Sequence, residues 1–157
     1  MIYDCSKILL MDIKICKITS KHAKEISDLG LEIKEFQYDL DRNTTYSEDD
    51  IKRVIKSKNA ICLMAIVDNK LAGFAIRTYH PFFKEAYLNE LYVKEKYRNK
   101  GIARMLFDKS LKILEDKGAV WTWGLVEEDN STMQNFLKKN GFKKGKKFYF
   151  YHKDSTR

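Results

Sequence analysis

Apolar residues along this chain recur at two spacings, and the changes between them outline its elements. From Ile13 to Ile18 apolar and polar positions alternate, as in a half-buried strand. Thr19-Ser20 offers an N-cap, and Ala23, Ile26 and Leu29 then recur at helical spacing until Gly30 interrupts them. Leu31 to Leu40 fits either a second short helix or a loop. Ser47-Glu48-Asp49-Asp50 reads as another helix start, with acids at the positive end of the dipole and Ile51, Val54 and Ile55 as the apolar stripe. Two strands follow, Ala60 to Val67 and Leu71 to Tyr79, joined by the polar turn Asp68-Asn69-Lys70. Ala86 to Val93 predicts a third. A long amphipathic helix runs from about Ile102 to Asp116, with Ala103, Leu106, Phe107, Ile113 and Leu114 on one side and Lys117-Gly118 at its end. Val120 to Val126 is a further strand. Asn130 caps a short helix bearing Met133, Phe136 and Leu137, Asn140-Gly141 closes it, and Phe148-Tyr149-Phe150-Tyr151 predicts a last strand.

This order gives a mixed α/β layer architecture, in which the strand–helix–strand stretch from Ala86 to Val126 brings two parallel strands together. A chain of 157 residues is near the commonest size for one domain. It buries about two-thirds of its unfolded surface, enough for a core without staples. Hydrophobic residues at 44% and aromatics at 13% argue against disorder, and the single proline, Pro81, leaves no proline-rich linker.

Charge and cysteines narrow the classes further. Cys5, Cys16 and Cys62 are odd in number and form no Cys-x-x-Cys pair, which fits reduced thiols in a cytoplasmic protein. The run Ile8-Leu9-Leu10-Met11 is too short for a signal peptide or a membrane span. His22, His80 and His152 are scattered, so no metal site is expected. The net charge of +8 is compatible with nucleic acid, yet the lysines are spread and no zinc-finger or RNA-binding motif is present. A solvated basic surface or attraction for a phosphate ligand accounts for it better.

One turn combines the features a phosphate needs. Arg98-Asn99-Lys100-Gly101-Ile102-Ala103 opens the long helix directly after a strand. A helix N-terminus presents unpaired N–H groups and partial positive charge. Gly101 leaves room for close approach, while Arg98 and Lys100 add charge. The same residues also suit a plain basic turn with a helpful glycine.

The stretch from Leu91 to Ala103 resembles the cofactor motif of the GCN5-related N-acetyltransferases. That motif reads Arg or Gln, two residues, Gly, one residue, then Gly or Ala, and Arg98, Gly101 and Ala103 fill it. Asn130, Phe136 and Gly141-Phe142 follow at the family's spacing. The resemblance covers about Ile13 to Tyr151 and implies one acyltransferase domain over residues 12–157, preceded by an extension, 1–11. It implies a mixed central sheet flanked by helices, splayed between the strand ending at Val93 and the one starting near Val120. Acetyl-CoA would be the co-substrate, without a metal. The backbone of Leu91, Tyr92 and Val93 would pair with the pantetheine arm, and the amides from Arg98 to Ala103, including Asn99, Lys100, Gly101 and Ile102, would hold the pyrophosphate. Arg104 would reach a phosphate at the edge. Asn130 would contact the pantetheine, with Phe136 and Lys139 bordering the cofactor. Simple capping by Asn130 and core packing by Phe136 are the alternatives.

Two departures from the family pattern bear on mechanism. Leu137 stands where many members carry a tyrosine that protonates the leaving thiolate; Tyr149 or Tyr151 could replace it, or pack in a strand. Leu125 stands where ribosomal-protein acetyltransferases of the superfamily carry a glutamate. Polyamine acetyltransferases carry acidic residues around Asn89 and Glu90, so Glu90 becomes the candidate base and attractor of a cationic amine. Its alternative is a surface or salt-bridged carboxylate, and Glu127, Glu128 and Asp129 read as a solvated acidic turn. The acceptor expected is a small-molecule or peptide amine, in a monomer or homodimer, without nucleic acid or membrane. Alternatives are a protein N-terminal or lysine acetyltransferase, or a non-catalytic acyl-CoA-binding module on the same fold.

Overall fold

Five strands build one sheet in the order β1 (Ile13–Lys17), β2 (Ala60–Val67), β3 (Lys70–His80), β4 (Glu85–Val93) and β5 (Trp121–Trp123). The structure is a computed structural model that describes residues 12–33, 46–149, 151 and 153. It forms two compact units, 1–125 and 126–157. The expected extension, residues 1–11, and most of the ambiguous stretch after Ile33 lie outside the described residues.

In the first unit, β1 to β4 form an antiparallel meander, and β5 joins β4 in parallel after a helical crossover. Asp68 and Asn69 both have positive φ, 49° and 59°, as a two-residue hairpin turn with the right twist requires. One sheet face packs on α3 (Ile102–Asp116): Leu63, Ala65, Ala75 and Val93 meet Ile102, Leu106 and Leu114 there. The other face is covered by α1 (Ala23–Glu32) and α2 (Glu48–Val54), with Ile26, Leu29 and Ile51 against Met64, Phe74 and Ile76. Gly73 lies in the middle of β3 because β4 approaches closely: a Cβ there would sit 3.1 Å from Val93 Cα, and nearer still to the Tyr92 carbonyl oxygen.

The helix starts follow their caps. Ser47 Oγ accepts from the Asp50 N–H at 3.2 Å, while the Asp50 carboxylate accepts from the Ser47 N–H at 3.0 Å. Gly30 does not end α1; it lies within the last turn. A helical glycine costs about 1 kcal/mol relative to alanine. Burial of Ile26, Leu29 and Ile33 around it outweighs that cost.

The second unit holds α4 (Ser131–Lys139). Asn130 Oδ1 accepts from the Met133 N–H at 3.0 Å, and at the other end Asn140 Nδ2 donates to the Phe136 carbonyl at 2.7 Å. The strand expected over Phe148–Tyr151 is corrected: Phe148, Tyr149 and Tyr151 are not in a strand, and Phe150 is outside the described residues. An aromatic run has the propensity for a strand, but the state needs a ladder partner, and none pairs with these residues among those described. β5 is likewise shorter than the expected Val120–Val126.

Candidate active site and coenzyme-binding turn

The candidate site is built on a bulge in β4. Ile76 pairs with Glu90 and Arg77 with Leu88, so Asn89 is the extra residue. The bulge re-aims the strand. Ala86 faces α3 before it, and Leu91 and Val93 face α3 after it. Glu90 and Tyr92 therefore point to the α1–α2 side, where Tyr92 packs at 6.1 Å from the Phe74 ring.

Glu90 is 3% exposed, which excludes the surface-carboxylate reading. Its charge acts on the phenols of Tyr46 and Tyr87 and on the Arg77 guanidinium. Asn89 Oδ1 accepts from Thr78 Oγ1 at 2.8 Å. Burial, and then the Glu90 charge, push the Tyr46 phenol up to about 12. The same two causes raise Tyr87. On the α3 side lies Arg77, 1% exposed. Its Nη1 donates to the Ile76 carbonyl at 2.9 Å and to the Glu90 carbonyl, and its guanidinium lies 5.9 Å from the Phe107 ring centroid. Burial lowers the Arg77 pKa to about 10 and the Glu90 charge opposes the shift, so Arg77 stays cationic at neutral pH.

Beyond the bulge β5 no longer pairs with β4. Pairing with β5 is confined to Glu85–Tyr87 against Trp121–Trp123, so Leu91, Tyr92 and Val93 have no β5 partner. The splayed sheet is present at this point. The last pair, Tyr87 and Trp123, also brings its rings together, 4.6 Å apart and tilted by 47°.

The turn after β4 leads into α3. Asn99 and Gly101 are left-handed, with φ of 61° and 78°, and a Cβ on Gly101 would meet nothing within 4 Å. Gly101 is therefore demanded by its dihedral angle, and the space above it is open. Met105 N–H makes a bond to the Gly101 carbonyl at 3.0 Å, which leaves the amides of Ile102, Ala103 and Arg104 ahead of it as the first-turn donors of α3. Other members of the expected cradle are engaged internally. The Arg98 N–H donates to the Glu95 carbonyl at 3.0 Å, and Arg98 Nε donates to the Val93 carbonyl at 3.0 Å, tying the turn to the end of β4. Lys100 Nζ lies 5.9 Å from the Tyr97 centroid, and Arg104 pairs with Asp108 at 2.6 Å.

In the second unit, Asn130 serves as the cap of α4, Phe136 is half-buried, and Lys139 is exposed. Tyr149 and Tyr151 are exposed, and Glu128 pairs with Lys147. Among the described residues no group of three or more potential metal ligands comes together. None of their helices is long and apolar enough to cross a membrane.

Sequence reasoning missed Tyr46 and Arg77. Tyr46 precedes the Ser47 cap and packs with the cluster containing Ile51, four residues after that cap, which is the hydrophobic-staple pattern. For Arg77 the signal was an ionisable residue inside an otherwise apolar strand.

Residues 28–142 match the acetyltransferase (GNAT) family. A thialysine N-epsilon-acetyltransferase of Caenorhabditis elegans is 24% identical over 122 residues, covering 75% of this chain and 76% of that protein. Among solved structures, the PaiA N-acetyltransferase of Thermoplasma acidophilum in complex with coenzyme A superposes with a TM-score of 0.75 at 25% identity, covering 85% of this chain and 91% of that one. An aminoglycoside N-acetyltransferase in complex with CoA shares the fold, with a TM-score of 0.73 at 17% identity over 92% of this chain and 97% of that one. The chain belongs to the GNAT family of acetyltransferases.

Proposed function

We propose that this acetyltransferase moves an acetyl group from acetyl-CoA to a small-molecule primary amine, by direct attack in a ternary complex. Glu90 acts as the general base, and residues 12–157 work as one cytoplasmic catalytic domain. Support for acetyl-CoA comes from the open space above Gly101 beside the first-turn amides of α3, and from the CoA carried by two similar structures. Support for a small amine comes from the relatives' names, which specify thialysine and aminoglycosides as acceptors.

The observation that carries the reading is a carboxylate buried at the β4 bulge, directly before the stretch Leu91–Val93 that β5 does not reach. In this reading that stretch holds the pantetheine arm as an added strand would. The amides of Ile102 and Ala103 hold the pyrophosphate, with Gly101 and Asn99 shaping the turn and Lys100 and Arg104 adding charge. Asn130, Phe136 and Lys139 serve the cofactor from α4. The amine nitrogen attacks the thioester carbonyl carbon, the C–S bond breaks, and CoA leaves as thiolate. The proton lost by the amine passes to Glu90, directly or through water, and then by way of solvent to the thiolate. A thiol of pKa about 8.5 leaves unprotonated at pH 7 with a penalty of about 2 kcal/mol, so Leu137 in the usual tyrosine position is tolerable.

The test is thiol release from acetyl-CoA against polyamines, amino acids, aminoglycosides and peptides with free N-termini. Turnover with one of the small amines is the expected result. Release with peptides alone would replace the acceptor class, and release with none would refute the transfer reaction.

A further inference from the structure

We propose that Tyr87, Trp123 and Trp121 form a track for the stem of the acceptor, leading outward from Glu90, and that Glu85 holds a second ammonium group at its outer end. The acceptor is then a linear amine with a cation at each end. The inference rests on the reading in which Glu90 receives the amine to be acetylated, and all five residues belong to the first unit. Register brings them together. Ala86 faces α3, so Glu85 and Tyr87 face the other side of β4, the side to which Glu90 points after the bulge. Parallel pairing sets Trp121 beside Glu85 and Trp123 beside Tyr87 on that same face. The rings are continuous: Tyr87 and Trp123 lie 4.6 Å apart, and Trp123 stacks on Trp121 at 6.3 Å. Burial and then the Glu90 charge raise the Tyr87 phenol, so the inner end of the track lies within reach of the proposed base.

The outer end has no structural use for its chemistry. Trp121 is 59% exposed. Glu85 is half-buried between His80 on β3 and Trp121 on β5, and it forms no ion pair among the described residues, although the chain carries 30 lysines and arginines. Aromatic faces attract organic cations and pack on the methylene stems that carry them. A carboxylate at either end then fixes both termini of such a molecule. The distance between them is set by the ladder. Glu85 and Glu90 stand opposite His80 and Ile76 on β3, a separation of about 13 Å along a strand. An acceptor with one ammonium group engages Glu90 alone, and a short diamine does the same. A long linear diamine engages both carboxylates with its stem against the rings.

The experiment measures thiol release from acetyl-CoA with diaminooctane and with aminooctanol, in which a hydroxyl replaces the second ammonium. Wild type should favour the diamine by about fivefold or more in kcat/KM, with the difference in KM. Diaminobutane, too short to reach Glu85 from Glu90, should hold no such advantage over aminobutanol. Glu85→Gln should abolish the preference for diaminooctane, and Trp121→Ala should raise KM for both long amines, with thermal unfolding as the check on folding. A wild type that treats diaminooctane and aminooctanol alike overturns the proposal, as does an equal advantage at both lengths or a folded Glu85→Gln that keeps the preference. Should Glu85→Gln not fold, the wild-type preference and its dependence on length decide. Should no amine be acetylated, calorimetry on the CoA-bound protein answers instead. Tighter binding of diaminooctane than of aminooctanol, by about fivefold, then supports the track and counts against the transfer reaction alone. Equal affinities overturn the track, and turnover of both amines at equal kcat/KM removes it while leaving the transfer reaction in place.

Discussion

Thr78 Oγ1 donates to Asn89 Oδ1 at 2.8 Å, which ties β3 to the extra residue of the β4 bulge. The bulge is therefore supported by side chains of β3 alone: Thr78 holds Asn89, and Arg77 reaches the Glu90 carbonyl. Tyr46, just ahead of the α2 cap, lies where the Glu90 charge acts on its phenol.

The buried Tyr46 phenol makes the fold sensitive to alkali. The ordinary tyrosine pKa is about 10. Burial first, and then the Glu90 charge, raise it to about 12 in the folded protein. Between those values the unfolded chain has released the proton that the folded chain still binds. Stability contributed by the neutral phenol is complete below pH 10 and declines as pH rises toward 12. Tyr46→Phe removes the titrating group and should flatten that decline. Urea midpoints measured across pH 8 to 12 check it, and parallel curves for mutant and wild type would remove Tyr46 as the source.

Gly101 separates backbone conformation from ligand space. Its φ is 78° and nothing lies within 4 Å of a Cβ there. Gly101→Ala should cost about 1–2 kcal/mol of stability through the left-handed backbone, while leaving room for a ligand. Gly101→Glu adds bulk and negative charge at the proposed phosphate position. It should fold and lose the thermal stabilisation that acetyl-CoA gives wild type, since a ligand that binds only the folded state raises stability by mass action. Wild-type affinity in Gly101→Glu would place the phosphates elsewhere.

Much of the scaffold was legible in the hydrophobic spacing. The β2 bounds, Ala60–Val67, and the α3 bounds, Ile102–Asp116, coincide with the expected ones: β2 is an unbroken apolar run between polar residues, and α3 is a long run with a helical period. The site itself was only half legible. Strict alternation would put Glu90 on the same face as Ala86 and Leu88, against α3. The bulge at Asn89 reverses that parity, and a bulge belongs to a pair of strands, not to the residues of one. The same limit hid Arg77, whose role comes from two carbonyls on neighbouring strands. Phe148–Tyr151 failed for a related reason: its composition suited a strand, and the pairing that would decide it is not a local property.

The exposed tyrosines of the second unit should be dispensable for chemistry. Tyr149 and Tyr151 are 88% and 87% exposed. If the thiolate leaves without an acid, Tyr149→Phe and Tyr151→Phe should each lower turnover by less than about tenfold, or about 1.4 kcal/mol. A loss of about a hundredfold or more in steady-state kcat would identify that residue as the acid in place of Leu137.

Glu90 bears the most specific prediction, because the need for a base depends on the acceptor. A lysine-like amine, with pKa about 10.4, must give up about 4.6 kcal/mol to be neutral at pH 7, whereas a peptide α-amino group near 8 gives up about 1.4 kcal/mol. A carboxylate 3% exposed at the bulge can take that proton and hold the cationic amine before it is lost. Glu90→Gln keeps the size of the side chain and removes the base. At pH 7 its kcat/KM for a small primary amine should fall by about a hundredfold or more. The deficit should shrink as pH rises toward the amine's own pKa and neutral acceptor becomes abundant. CoA affinity should be unchanged, since the phosphate turn is untouched. A deficit that stays constant with pH would assign Glu90 to binding or folding. A mutant with wild-type activity and pH profile would take it out of the mechanism altogether.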